Sequence, residues 1–306
     1  MTPRRAFAFP RENLAVAGIA IMLLGYFMFA LNDAMGKWLV ASFSVGQVLA
    51  VRSLGAFVIL APMIARQGLS SLTRQERPEL QFLRVVFATA DTALFYAAVV
   101  YLPLADVMTF YMAGPIYIAA LSHVFLREKV GWRRWLAIVV GFGGVVVALR
   151  PSTASLSLPS LFALVGSVSF AISMILGRRL RGTSDTALVT WQTLGSLVLG
   201  LALAATDWRG ADALDWSAML LLGIVSCLAH LMITRALKLA PASTLAPLQY
   251  TLLLWGIVFG FVFFGDVPDS QLLVGSAIIV LAGLFIFHRR KVRAQSSPDD
   301  VQRGAH

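Results

Sequence analysis

The sequence predicts an all-α membrane protein of ten transmembrane helices, arranged as two inverted five-helix repeats. Three observations carry that prediction. Of the 306 residues 58% are hydrophobic and 13% charged, with a mean hydropathy of +0.80, whereas soluble domains hold about 25% charged residues. Apolar stretches of roughly 20 residues, the length that crosses the hydrocarbon core, recur ten times along the chain. The second half of the chain repeats the residue pattern of the first.

In order, the spans are expected at 13–32, 46–66, 80–101, 104–122, 131–149, 158–177, 185–205, 216–236, 242–263 and 270–288. The first follows Arg4, Arg5 and Arg11, a basic start like that of a signal peptide. It is too long for a signal segment and no clear small-residue cleavage site follows, so it reads as a retained helix. The connections are short and set by proline or glycine, at Pro103, Gly131, Pro151 with Pro159, Gly182, Gly210 and Pro241. They leave no room for a soluble domain. The organisation is then a tail over 1–12, a first repeat over 13–150, a second over 158–288, and a basic and polar tail over 289–306.

Orientation follows from Lys and Arg. The termini and the loops after spans two, four, six and eight carry twenty of them, including Arg66, Arg77, Arg127, Lys129, Arg178, Arg181 and Lys238, against Lys37, Arg150 and Arg209 in the opposite loops. Both termini are therefore expected in the cytoplasm, in a multi-pass protein of a bacterial-type inner membrane. This bias also accounts for the net charge of +10 without a nucleic-acid face, because the cations sit in short clusters between apolar blocks. The stretch FLREKVGWRRW is one such turn, with Trp132 and Trp135 at the interface. The single cysteine, Cys227, permits no disulfide framework.

Glu128 in that turn is not explained by topology. An offset of 138 residues superposes Pro103 on Pro241, Val124 on Val262, Phe125 on Phe263 and Glu128 on Asp266. An offset of 141 superposes Gly25, Phe29, Ala30, Gly36 and Lys37 on Gly166, Phe170, Ala171, Gly177 and Arg178, and one of 140 brings Ser44, Leu54 and Gly55 onto Ser184, Leu194 and Gly195. Because each copy holds an odd number of spans, the second enters the membrane from the opposite face. That is the inverted-repeat plan of secondary transporters, in which exchanging the shapes of the repeats moves access across a central site.

The stretch from Leu102 to Pro151, with FALNDAMGKWL and the arginine of LAVRSLGAF, resembles the EamA-type drug/metabolite transporter superfamily. The resemblance covers nearly the whole chain. It departs in the second repeat, where Asp266 stands at a position the family often fills with glutamate. It implies two five-helix repeats and export across an inner membrane, with bacterial exporters of amino acids and other metabolites as the nearest type. Cargo varies within the superfamily, so fold is implied more firmly than substrate.

Intramembrane polar groups cost roughly 2.5–3.5 kcal/mol for a central charge, so each needs a reason. Asp33 and Arg52 lie near the same end of spans one and two and are expected to pair, as a structural ion pair or as a gate. Glu128 and Asp266 read as symmetry-related gate anchors. Asp91 and His230, in counterpart spans three and eight, could meet near the pseudo-axis and relay a proton, or could be ordinary interhelical bonding groups. Arg84 can snorkel to the interface and is assigned no role. Aromatic and amide groups recur at matched positions: Tyr111 with Gln249, Met112 with Tyr250, Tyr117 with Trp255, and Trp191 with Gln192 opposite Val51 and Arg52. Of these Tyr111, Met112, Trp191, Gln192, Gln249, Tyr250 and Trp255, together with Asn32, are the expected substrate contacts, since rings and amides suit a flat or amphipathic solute; the competing reading is that the large side chains fill gaps or face lipid. Gly114-Pro115 and Pro247 interrupt spans four and nine and are expected hinges. Gly141, Gly143, Gly144, Gly275 and Gly283 suit close packing in spans five and ten, or a homo-oligomer surface.

Other function classes fit less well. The phosphate-binding loop of an ATP-driven pump is missing, since Gly36-Lys37 runs on into Trp38. The four histidines, His123, His230, His288 and His306, are scattered, so neither a metal centre nor a catalytic constellation is expected, and no cofactor. No polar ring or filter suggests a channel. The expected partners are membrane lipid, a small-molecule substrate and a coupled proton. The expected function is alternating-access export of aromatic and other neutral amino acids, with lipophilic cations or drug-like molecules as the alternative that Asp33 and Asp91 in an aromatic cavity would serve.

Overall fold

Serine caps start the second helix of each half in the same way. Ser44 and Ser184 both adopt extended backbone and accept a hydrogen bond from the amide three residues on, Gln47 N at 3.2 Å and Ala187 N at 3.1 Å. Such a cap satisfies an amide that the helix itself leaves orphaned. Asp212 and Asp215 form a reciprocal capping box at the start of another helix. The computed structural model describes residues 11–73, 77–102, 104–128, 131–149 and 157–265, with 267, 270, 271, 273–275, 277, 278, 281 and 282.

The described elements are helical throughout. They run α1 (Arg11–Val40), α2 (Val45–Gln67), the short α3 (Ser70–Thr73), α4 (Pro78–Tyr101), α5 (Leu104–Met112), α6 (Gly114–Leu126), α7 (Trp132–Leu149), α8 (Leu158–Arg179), α9 (Asp185–Ala204), α10 (Ala213–Leu239), α11 (Ala242–Leu245) and α12 (Thr251–Phe259). A 3₁₀ turn over Ala246–Tyr250 joins α11 to α12, and a π turn over Gly260–Phe264 follows. Seven of the described helical stretches are long and apolar enough to cross a membrane. The fourth expected span is divided at Ala113 into α5 and α6, and most of 270–288, with Asp266, lies outside the described residues.

Two boundaries differ from the sequence expectation. The first helix continues eight residues past 32 to Val40. It does so because Gly36-Lys37 packs inward instead of ending the helix: Tyr96 occupies the space a Cβ of Gly36 would need, and the Lys37 ammonium lies 4.6 Å over the Phe264 ring. The ninth span is not one regular helix but four successive windings. Pro247, which cannot donate to the ladder, sits in its 3₁₀ turn.

Packing couples the two halves instead of separating them. α1 lies along α10 and α4 along α8, which are mates under the repeat, as are the contacts of α1 with α12 and of α8 with α6. α2 packs against α9, its own counterpart. The bundle therefore has a near end, where α1, α4 and α9 begin, and a far end, where α2 and α10 begin. Gly141 seats the Tyr250 ring and Gly144 meets the Gly275 carbonyl, so both serve packing within the chain. Gly143 is exposed, and nothing among the described residues lies within 4 Å of where its Cβ would stand.

Candidate functional site

Two small cavities lie in succession inside the bundle and share four walls: Phe29, Asp91, Phe170 and His230. The far cavity, about 30 Å³, adds Asn32, Asp33, Arg52, Tyr96, Tyr111 and Gln249. The near one, about 20 Å³, adds Arg84, Ser173, Gln192 and Thr234. Both are sized for water and too small for an organic solute. At the near end a cleft of about 640 Å³ opens outward between Arg77, Arg179, Arg181 and Lys238.

The far cavity is organised by Arg52, which α2 brings in seven residues after its first. The guanidinium donates to the Tyr96 hydroxyl at 2.8 Å and to the Ser226 hydroxyl. Tyr96 reaches it only because Gly36 leaves the ring its space. On α1, Asn32 donates to Asp33 Oδ1 at 3.0 Å and keeps its own Oδ1 buried without a partner. The Tyr111 hydroxyl donates to Asp91 Oδ1 at 2.8 Å, lodged over Gly166.

Proline chemistry explains the floor of this cavity. Pro115 has no N–H, so the Tyr111 carbonyl four residues before it loses its helical donor. Gln249, the repeat mate of Tyr111, supplies the bond from its Nε2 at 2.9 Å and leaves its Oε1 buried and unpartnered. Gly114 makes this possible, since a Cβ there would lie 2.7 Å from Gln249 Nε2. The break in span four is thus stitched to the second repeat across the pseudo-axis.

Around the near cavity, His230 Nδ1 lies 2.8 Å from the Ser226 carbonyl, which can only accept. Nδ1 therefore carries the proton and Nε2 is the acceptor in the neutral ring. Arg84 donates to the Leu188 carbonyl at 2.9 Å, while its Nε is buried with no partner among the described residues. Beyond the cavity Glu128 accepts from Ala242 N, Ser243 N and Ser243 Oγ at 3.2, 3.0 and 2.8 Å, and pairs with Arg178 at 3.6 Å. It fastens the end of α6 to the start of α11, so the first repeat is tied to the second at the near end.

Several expected contacts meet at these cavities and several do not. Asn32, Asp33, Arg52, Asp91, Tyr111, Gln192, His230 and Gln249 line one or both. No ion pair joins Asp33 to Arg52 among the described residues, because Tyr96 and Ser226 take the guanidinium. Asp91 and His230 share both cavities but bond to Tyr111 and Ser226 instead of to one another. Trp191 is 38% exposed and donates to the Leu72 carbonyl, so it lies on the outer surface. Tyr250 is buried with its hydroxyl on the Ile138 carbonyl, Met112 is fully buried, and Trp255 packs edge-on against Phe27 at 4.8 Å; these three are packing residues. Asp266 lies outside the described residues.

Sequence reasoning passed over Tyr96, Ser226 and Arg84. Arg84 was expected to snorkel, yet it is 6% exposed. Phe29 and Phe170 carried a usable signal, for they are repeat mates, and their rings meet edge-on at 6.1 Å where they border both cavities. Among the described residues no cluster of histidine, cysteine or carboxylate is arranged to hold a metal.

Comparison with known proteins gives consistent matches. The profile of the EamA-like transporter family matches residues 16–150 and again 157–288. The chain is 26% identical over 288 residues to the S-adenosylmethionine uptake transporter of Rickettsia felis, covering 94% of this chain and 97% of that one. It is 28% identical over 274 residues to the riboflavin transporter of Vibrio cholerae, covering 88% and 92%. It is 25% identical over 283 residues to a pseudopaline exporter of Pseudomonas aeruginosa, covering 91% and 99%. A crystal structure that shares 16% identity superposes with a TM-score of 0.76 over 94% of this chain and 100% of its own, which shows the fold.

Proposed function

The chain belongs to the EamA-like transporter family, and from that premise we propose that it moves neutral, amino-acid-like metabolites, aromatic ones included, by alternating access between its two repeats. It is a multi-pass membrane transporter and not an enzyme. The observation that carries the cargo reading is the lining of the far cavity, closed here and required to widen for a solute, which sets Arg52, Asp33 and Asp91 among the Phe29, Phe95 and Phe170 rings. A cation and carboxylates in one apolar chamber suit a solute that bears both a carboxylate and an ammonium group, with the rings for its side chain. A lipophilic cation would meet Arg52 there, which counts against the drug-like alternative. The relatives named for S-adenosylmethionine and for pseudopaline are compatible with this chemistry, and the riboflavin relative marks the limit of reasoning from likeness.

The direction is export across an inner membrane, with both termini cytoplasmic and the repeats bounded at 13–150 and 158–288. Asp91 and His230, on facing walls of both cavities, are the groups through which a proton gradient would act. Glu128 and Asp266 serve as gate anchors, and Gly114, Pro115 and Pro247 as the flexing points.

Counterflow in proteoliposomes of the purified protein tests this reading. Labelled phenylalanine, tryptophan and threonine are compared with S-adenosylmethionine and riboflavin, with and without a pH gradient. Saturable exchange of the amino acids is expected, with any gradient effect lost in Asp91→Asn while exchange persists. Exchange of a lipophilic cation or of riboflavin with none of the amino acids would sink the cargo assignment.

A further inference from the structure

The near cavity contains a buried arginine that the proposed transport does not yet use. Arg84 enters from the first two turns of α4 and donates through Nη1 to the Leu188 carbonyl on α9, which fixes the plane of the guanidinium. Nε lies on the other edge of that plane, the edge that can grip a carboxylate side-on. It is buried with no partner among the described residues. A buried donor left unmade costs about 1–3 kcal/mol, more when charged, so the protein gains when an acceptor arrives. The same stretch holds further buried groups without partners among the described residues: both ends of the Gln81 amide and the hydroxyls of Thr89 and Thr190. On the far side of the shared walls, by contrast, Arg52 is bonded twice.

The two arginines stand in neighbouring cavities, and Asp91 borders both. We propose that Arg84 is a second carboxylate station: an amphoteric solute arriving from the near end lodges its carboxylate on Arg84 and its ammonium on Asp91, then swings about Asp91 until Arg52 takes the carboxylate. The inference rests on the amino-acid reading of the far cavity and extends it by giving the solute a loading position. Each cavity supplies one cation, and the carboxylate common to both is the pivot. Phe29 and Phe170, also common to both and in edge-on contact, present apolar ring surface to the solute at either station. The near station also adjoins the outer cleft, for Leu237 lines the near cavity and Lys238 the cleft. Arg77, Arg179, Arg181 and Lys238 in that cleft raise the local concentration of carboxylate-bearing solutes before the first station is reached.

The test compares L-phenylalanine with L-phenylalaninamide, which keeps the ammonium and ring and lacks the carboxylate, in counterflow by the full-length protein. The wild type is expected to favour the acid about tenfold or more, and Arg84→Gln to bring that preference close to one. Monodisperse elution and a cooperative unfolding transition in detergent report that the variant is folded. Equal rates for acid and amide in the wild type would overturn the two-station path while leaving transport itself established, and so would an undiminished preference in Arg84→Gln. Should Arg84→Gln not fold, Arg84→Lys, which keeps the charge but not the two-pronged edge, carries the same test: a preference reduced at least threefold supports the station, and one at the wild-type value overturns it. Flux of neither compound by the wild type would overturn the amino-acid reading and this inference with it.

Discussion

At the far end α2 and α10 cross so closely that a Cβ on Gly55 would lie 2.1 Å from the Leu220 carbonyl oxygen, and one on Gly223 1.8 Å from that of Arg52. The mate crossing, midway along α9, sets Gly195 against the side chains of Val85 and Thr89 in the near half of α4, with Val85 standing where the repeat has Gly223. The same contrast runs along α2 and α9. Gly46 and Gly200 let these helices touch backbone to backbone at the far end, whereas their mates under the 140-residue offset are Thr186 and Leu60. Helices that meet at glycine gain close dispersion contact that a β-branched or large residue prevents. The repeats thus share a plan without sharing a shape: the far crossings are closed by backbone and the near ones are propped by side chains.

The most damaging way to break this comparison is Gly223→Val. The added side chain would meet backbone on α2, which cannot step aside, and overpacking of this kind costs 1–3 kcal/mol or more. We expect a large fall in the thermal unfolding midpoint in detergent, or loss of monodisperse protein. Gly195→Ala at the mate crossing should cost clearly less, because the atoms it meets are the ends of the Val85 and Thr89 side chains. Equal losses would mean that the near crossing is as tight as the far one.

Next in size is Glu128→Gln, which weakens the near-end fastening to α11 and Arg178. Hydrogen bonds to charged groups contribute about 1.5–3 kcal/mol each, and several would be weakened together. The unfolding midpoint should fall, and a cycle with Arg178→Gln should be non-additive, since the two share one interaction. Additive losses would show that Glu128 acts through the α11 amides alone.

A smaller effect is expected of Val85→Gly, which gives the near crossing the residue of its far counterpart. Beyond the helix cost of about 1 kcal/mol for glycine, it should let α4 close on α9. A single cysteine at Ser173, in a Cys227→Ser background, should then react several-fold more slowly with a water-soluble maleimide; a shift of about 1 kcal/mol corresponds to roughly fivefold. Faster labelling would reverse the assignment of the propped end. The smallest effect is expected of Trp191→Phe, which removes one bond to the Leu72 carbonyl at an exposed site and should change stability by no more than about 0.5 kcal/mol and exchange not at all.

Much of the architecture was legible in the sequence, because lipid leaves few alternatives: every backbone polar group in a span must be satisfied internally, and length and hydropathy then fix most helix positions. Repeat offsets identified the mates at the site, and Tyr111 with Gln249 proved to be joined by a direct bond. Which face of a helix turns inward was harder to read. Trp191 and Gln192 are neighbours in sequence, and the turn of the helix separates them by about 100°, so one lines a cavity and the other the surface. Hydrophobic periodicity cannot make that distinction where both the interior and the solvent are apolar. Arg84 was misread for a related reason: closeness to a span end permits snorkelling without requiring it, and the deciding contact, the Leu188 carbonyl, is distant in sequence.

The unequal glycines bear on how such a carrier would behave between two compartments. A passive carrier with identical repeats would rest equally on both sides, and its half-saturation concentration would be the same from either. With the far crossings zipped and the near ones propped, this protein is predicted to wait with its binding chamber turned toward the near compartment. Carriers emptied on the far side would return quickly, so transport from the near compartment would have the higher ceiling on rate and, with it, the higher half-saturation concentration. From the far compartment both quantities would fall together, since for a passive carrier their ratio must be the same in the two directions. Measuring that pair of constants in vesicles of known sidedness would read four glycine positions out as a kinetic asymmetry.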